Sequence, residues 1–351
     1  MDDFSDNIDL APQRVRRSLN TLFSGTQALL PVQPRERDII WEDYMKDTKL
    51  TVLEVCGNKI IAGFDDGQVN IYNSVDLNCE KSLPYYQQNG SVQCLQCSCT
   101  EIIAGYRDGN ICSWNIQSGL QTRKMSLRTF ESSHLSSTRY PTCMWREAPK
   151  LVVGTTDGKI VIFQHVNSNF TTLGAWNVGE HLKKVYFDEK YVIVFGNSVR
   201  VYNWNGKLVR TILSWSSQSC MMYSIRDMTY LEGNIIIIGA AGVETVASVM
   251  NVKTEEIVHE LQGHINGSIL AVDAFNNCVL TTDTTGSIIL WTLEAAQNRN
   301  LQAAARFPSP ECPSKSLGPN PHVKVCWLRL GQTFFVRHFS CSSKIVVTDF
   351  P

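Results

Sequence analysis

The chain has 351 residues, 43% of them hydrophobic, and a formal net charge of −1. That balance fits a large packed core and excludes the strongly basic surface that nucleic acid or an anionic membrane calls for. No run of eighteen apolar residues is present, so no membrane helix is expected, and the acidic start MDDFSDNIDL lacks the basic-then-apolar order of a secretory signal.

Residues 1–36 read as an N-terminal tail. Pro12 to Leu22 has the pattern of a short helix, with Asp9 near its start and Val15, Leu19 and Leu22 on one face; Gly25, Pro31 and Pro34 end it. Two readings stay open for it: a docking helix for a partner, or a tail lying free or on the domain that follows. Arg14, Arg16 and Arg17 ahead of Ser18 also look like a site for a basophilic kinase.

Ile60 to Asn73 (IIAGFDDGQVNIYN) reads as a short apolar strand, a tight turn and a second strand with period-two alternation. Asp-Gly between such runs marks a hairpin, because glycine takes the positive φ that the turn needs. The pattern returns as IIAGYRDGNICSWN, then VVGTTDGKIVIFQ, VIVFGNSVRVYN and VLTTDTTGSIILWT. In the fourth of these five, Asn197 takes the glycine's place, being the next most tolerant of positive φ. Degenerate copies end at Met250 and at Thr348-Asp349. The markers at 72, 114, 163, 202, 250, 291 and 348 define seven units. Four-stranded propeller blades recur at about 40–45 residues, so the fold expected is all-β, a seven-bladed β-propeller.

The repeat resembles that of the WD-repeat β-propellers, which carries a Gly-His pair, a turn Asp and a Trp-Asp ending the third strand. Gly263-His264 supplies the pair, with His264 fourteen residues after Met250; Trp114-Asn115 and Tyr72-Asn73 come nearest to the Trp-Asp. The resemblance covers about residues 38–351. It implies a buried hydrogen-bonded set of His, strand Ser or Thr, turn Asp and Trp within a blade. Thr285 stands where the unit after His264 needs its Asp, so no blade is expected to hold the whole set. Ring closure is implied as well. The last repeat stops after its third strand, and Asp38-Ile39-Ile40-Trp41 is placed to supply the missing outer strand and cover the open edge. Residues 37–351 are then one propeller closed by an N-terminal strand, with Ile40 as its candidate buried residue.

The innermost strands are expected at 50–55, 92–97, 142–146, 183–187, 225–230, 268–273 and 323–329, most of them apolar at alternate positions. Arg128 to Tyr140 lengthens the connection into blade three, and Glu294 to His322 the one into blade seven. The latter begins as a possible helix, EAAQNRNLQAAARF, and turns Pro/Ser-rich; it reads as a functional loop or a disordered one.

Twelve cysteines without a secretion signal read as reduced thiols, in the cytosol or nucleus. Cys94, Cys97 and Cys99 have part of a zinc-ligand spacing. The repeat offset, however, sets Cys94 level with Val52 and Cys143, and Cys97 level with Val55, which is a small apolar core site. Core packing and zinc are the two readings, and no second ligand pair has suitable spacing.

The seven histidines are scattered, and none has the spacing of a metal pair or a catalytic arrangement. Asp66, Asp108 and Asp157 recur by symmetry, which assigns them to capping backbone amides; a catalytic Asp would belong to one blade. No enzyme, cofactor or metal is expected. A rigid ring offers its loops, and those leading into the inner strands vary most from unit to unit. Tyr85, Tyr86, Tyr140, Trp176, Lys183, Trp215, Tyr223 and Asn266 lie there as candidate partner-binding residues, rich in the aromatics that dominate interface hot spots. Packing against adjacent loops is the competing reading for each. The expected function is a non-catalytic scaffold, monomeric by itself, that binds other proteins. The DIIW-then-propeller order is also similar to F-box/WD-repeat proteins, which implies the substrate-recognition subunit of a ubiquitin ligase. Against that, the 36 leading residues are short for an F-box and lack its opening Leu-Pro.

Overall fold

The computed structural model describes residues 35–40, 48–85, 90–127, 139–166, 169–212, 225–231, 233–239, 246–254, 256–265, 268–293, 300–301, 303–307, 325–331, 334–339 and 344–349. They form seven sheets whose strands, except at the closure, follow one another in chain order from the inside outward. The innermost strands are Leu50–Cys56, Val92–Cys97, Pro141–Glu147, Lys184–Phe187, Ile225–Leu231, Ile269–Phe275 and Val325–Leu330, close to the expected spans. Buried apolar side chains gather in seven clusters, each shared by two neighbouring blades. One of them joins Phe334 and Val336 of the last blade to Leu53 and Phe64 of the first, so the sharing is cyclic. The result is a seven-bladed propeller.

Burial follows position in the blade. Glu101–Tyr106 is buried along its whole length, because both faces of a middle strand meet neighbouring blades. Gln121–Ser126, at the outer edge, has no buried residue. Close packing between strands explains the small residues noted above. A Cβ on Gly105 would lie 2.6 Å from Pro141 Cγ and 2.8 Å from Cys94 Sγ, and one on Gly154 would lie 2.6 Å from Cys143 Sγ. Cys94 and Cys143 are buried, free thiols at those contacts.

The closing strand is Arg35–Ile40, antiparallel to Lys344–Asp349. It begins two residues before the expected boundary, and Trp41 lies outside the described residues. Its buried side chain is Ile39, at 3% exposure, whereas Ile40 is 59% exposed. The expectation for Ile40 is corrected by strand periodicity: neighbours face opposite ways, and Ile39 takes the face that meets the core. Charge pairs fasten the strand. Arg37 Nη2 donates to Asp349 Oδ1 at 2.6 Å, Arg37 Nη1 also reaches the Val75 carbonyl of blade one, and Glu36 pairs with the fully buried Arg337.

Two local expectations fail for physical reasons. Within the stretch read as a helix, Asn300–Leu301 and Ala303–Phe307 are strands. Ala303–Phe307 is the outer strand of blade six, paired to Ile288–Thr292, so the open edge of that strand outweighs the helix propensity of three alanines. Asn300–Leu301 adds a short parallel fifth strand to blade five. Asn197 does not adopt positive φ. Its turn is held instead by Ser198 O accepting from Gly196 N, and by Glu180 Oε2 accepting from Asn197 N at 3.3 Å. The helix expected at Pro12 to Leu22, the kinase-like Ser18 and the 308–322 stretch lie outside the described residues.

Among the described residues, the segment leading into the inner strand is tied to the turn between the next two strands in blades one, two, three, four and six, by a different pair in each. In blade six the set is complete. Asp283 Oδ2 accepts from His264 Nδ1 at 2.7 Å, Thr281 Oγ1 lies 2.8 Å from His264 Nε2, and Trp291 Nε1 donates to Thr281 Oγ1 at 2.9 Å. The expectation that no blade holds the whole set is therefore wrong. The carboxylate comes from Asp283, two residues before Thr285, and its other oxygen accepts from Thr285 N and Oγ1. Elsewhere Tyr85 donates to Asp108 Oδ2 at 2.6 Å, Arg139 pairs with Asp157, and Asp65 Oδ1 accepts from Lys49 N. Asp66 and Asp108 cap amides at Gln68 and Asn110, as their recurrence implies.

Candidate functional site: the channel and its rim

One position per blade turns a side chain toward the axis. Glu54, Gln96, Trp145, Tyr186, Thr229, Asp273 and Arg329 are the residues opposite Ile61, Ile103, Val152, Ile193, Ile236, Leu280 and Val336 on the second strands. All seven line a cavity of about 520 Å³. Sequence reasoning missed this ring, although a signal existed. Glu54, Gln96, Trp145 and Asp273 each stand eighteen residues before their blade's marker, and none of the four is aliphatic.

The ring divides into two walls. On one, Arg329 Nε and Nη2 donate to Glu54 Oε1 at 3.1 and 3.0 Å, binding the last blade to the first. Asp273 faces the same guanidinium and accepts from Leu330 N at 2.9 Å. Burial pushes the Glu54 and Asp273 carboxyls up, with Arg329 opposing it. Burial alone would lower Arg329, but the two carboxylates outweigh it and hold it above its ordinary value. Lys184 Nζ donates to Asp227 Oδ1 at 2.6 Å, and Asp227 Oδ2 accepts from Val272 N at 3.2 Å. The other wall is aromatic: Trp145 and Tyr186 rings lie 4.8 Å apart, and Tyr186 and Tyr230 rings 6.0 Å. These ionisable groups are matched to one another across blade seams, which is a structural use of charge.

At the far end of the inner strands, Cys56, Cys97 and Cys99 line the cavity together. Cys94 borders it too, but as a buried thiol on the opposite face of its strand from Cys97, because residues three apart face opposite ways. That geometry breaks the zinc-like spacing, and among the described residues no group of three His, Cys, Asp or Glu is placed to hold a metal ion.

The candidate partner residues scatter more than expected. Tyr85 is 8% exposed, stacked on Tyr106 with ring centres 3.7 Å apart, and its hydroxyl is engaged by Asp108 and Asn110. It packs within the fold, where it does in blade two what His264 does in blade six. Trp176 lies on the outer strand of blade three against Tyr202 of blade four, away from the channel. Lys183 is exposed on the channel rim with its ammonium 5.0 Å from the Phe195 ring centre. Tyr140 is half-buried at the start of blade three. Tyr86, Trp215, Tyr223 and Asn266 lie outside the described residues.

Solved structures share this arrangement. A chain of the Mitotic Checkpoint Complex matches with a TM-score of 0.66 at 12% identity, over 94% of this chain and 98% of its own. U3-55K matches with a TM-score of 0.65 at 12% identity, over 90% and 98%. The C-terminal WD40 domain of Sif2 gives 0.58 at 14%, over 88% and 83%. The fold is that of the WD40 propellers. At such identities the likeness of these WD40 chains is one of fold alone. No protein-family model matches the chain, and no curated protein does.

Proposed function

We propose that the chain is a non-catalytic scaffold that holds a protein partner on the rim where the inner strands begin. One observation carries this reading. The carbonyls of Lys49, Ser91, Tyr140 and Ser268, the residues just before four inner strands, each accept an amide hydrogen bond from the turn of their own blade, at Asp65, Arg107, Thr156 and Thr284. The backbone there is fixed by the repeat, while the side chain takes no part in that bond and is lysine, serine, tyrosine and serine in the four. Such a rim varies its chemistry without altering its shape, which is what selective recognition on a rigid support requires. Support comes also from the WD40 fold and from a similar chain's place in the Mitotic Checkpoint Complex. A reducing compartment, cytosol or nucleus, and a monomeric free state belong to the same reading. No observation favours the ubiquitin-ligase alternative over it.

The test is affinity purification with mass spectrometry on the full chain and on Lys49→Glu, Tyr140→Ala and Lys183→Glu. These substitutions change stability by at most about 0.5 kcal/mol where the side chain is exposed, and anchors lose more than about 1 kcal/mol of binding. A partner retained equally by all three variants and lost on substituting Phe275, at the opposite mouth, would refute the assignment of this rim.

A further inference from the structure

We propose that Cys56 and Cys97 are a redox pair, which a hydroperoxide closes into a disulfide across the seam between blades one and two. Cys56 ends the inner strand of blade one and Cys97 that of blade two. Both are partly buried, pack on the same apolar cluster and face the same cavity, with exposed Cys99 beside them. Cys94 and Cys143 also border the cavity but are buried against Gly105 and Gly154, and Cys112 is buried away from it, so Cys56 and Cys97 are the more accessible to a small oxidant.

The thiols are not equivalent. Hydrogen bonding from Cys97, helped by Cys99, brings the Cys56 thiol down to about 7, against burial and the Glu54 carboxylate. Cys97 is pushed up by the same contact and by burial, with Glu54 adding to this and Arg329 opposing it. Cys56 is thus the attacking thiolate and Cys97 the resolving thiol. In the first step the Cys56 sulfur bonds to one peroxide oxygen, the O–O bond breaks, and the leaving alkoxide takes up a proton to become an alcohol. The Cys97 sulfur then attacks the Cys56 sulfur of the sulfenic acid. The S–S bond forms, the S–O bond breaks, and the hydroxide leaves with the Cys97 proton as water. Two thiols and one hydroperoxide yield a disulfide, an alcohol and a water; the two electrons come from the sulfurs.

The experiment uses the full chain with tert-butyl hydroperoxide as probe, followed by alkylation of remaining thiols and peptide mass spectrometry. The expected product is a monomer in which the Cys56 and Cys97 peptides are joined with loss of two hydrogens, reversed by dithiothreitol. It forms in Cys99→Ser and not in Cys56→Ser or Cys97→Ser. A second readout needs no variant. With its thiol brought down to about 7, Cys56 is far more ionised at neutral pH than Cys79, whose thiol burial pushes up. After allowing for the weaker nucleophilicity of the lower-pKa thiolate, Cys56 should react with iodoacetamide about five- to tenfold faster than Cys79. Equal alkylation rates, a Cys56–Cys99 link, intermolecular disulfides alone, or Cys56 sulfinic acid beside a free Cys97 each overturn the proposal.

Discussion

At the scale of single residues, Asp283 shows how position and chemistry separate. One oxygen holds His264 while the other caps the turn at Thr285, so a single carboxylate does what the repeat pattern assigns to the turn position. Burial would raise its pKa, but hydrogen bonds from His264 and Thr285 outweigh this and hold it below the ordinary 3.8. A depressed folded value means its contribution is complete above about pH 4 and is lost as pH falls further. Asp283→Asn should lower stability by about 2–4 kcal/mol at pH 7, since charge-assisted buried bonds are each worth about 1.5–3 kcal/mol. In urea titrations the variant should also lose less stability than the parent between about pH 4 and pH 2; parallel pH profiles would exclude this role. The sequence showed His264 and Trp291 in register, yet a partner set judged at one column missed a carboxylate displaced by two residues. Asn197 failed similarly: tolerance of positive φ says where a residue is allowed, not which of several turns the loop adopts.

At the scale of elements, the closing strand was legible because an uncovered edge needs a partner, but its facing was not. Alternation alone allows either Ile39 or Ile40 inward, and only pairing with Ile345 and its neighbours decides. Ile39→Asp should cost several kcal/mol, about the loss of a core aliphatic plus a buried charge, whereas Ile40→Asp should stay within about 0.5 kcal/mol. Equal melting temperatures for the two variants would contradict the register. Glu36 provides a second check. Arg337 is fully buried, and burial lowers its pKa while Glu36 opposes the shift. Glu36→Gln removes the hydrogen-bonded one of the two carboxylates that oppose it, Asp38 being the other, and should cost up to about 3 kcal/mol, the lower end for breaking a buried pair. Removing residues 1–34 should spare the ring, while removing 1–40 should open its last blade, as thermal melts of both truncations would show.

At the scale of the molecule, the period in the forties made the architecture readable, because seven similar units can share their apolar faces only by closing a circle. The channel was not readable in the same way, since its meaning lies in the differences between units. Arg329 illustrates this: it serves blades seven, one and six at once through Glu54 and Asp273. Arg329→Met keeps much of the packing and leaves two carboxylates facing a wall with less positive charge. Burial already raises both groups, and without Arg329 the opposition is left to Lys184 and, for Asp273, to the Leu330 and Ala274 amides. A raised folded pKa makes stability greatest at low pH, where both groups are protonated, and drains it as pH rises through the folded values. The substitution should therefore cost about 3 kcal/mol or more at pH 8 and distinctly less at pH 5. Adding Glu54→Gln and Asp273→Asn should recover part of the loss at pH 8 and little at pH 5, because the neutral amides mimic the protonated acids. Urea unfolding of the parent, single and triple variants at both pH values measures this. A loss independent of pH would mean that Arg329 acts through packing alone, and that the seams are held by their apolar clusters rather than by charge.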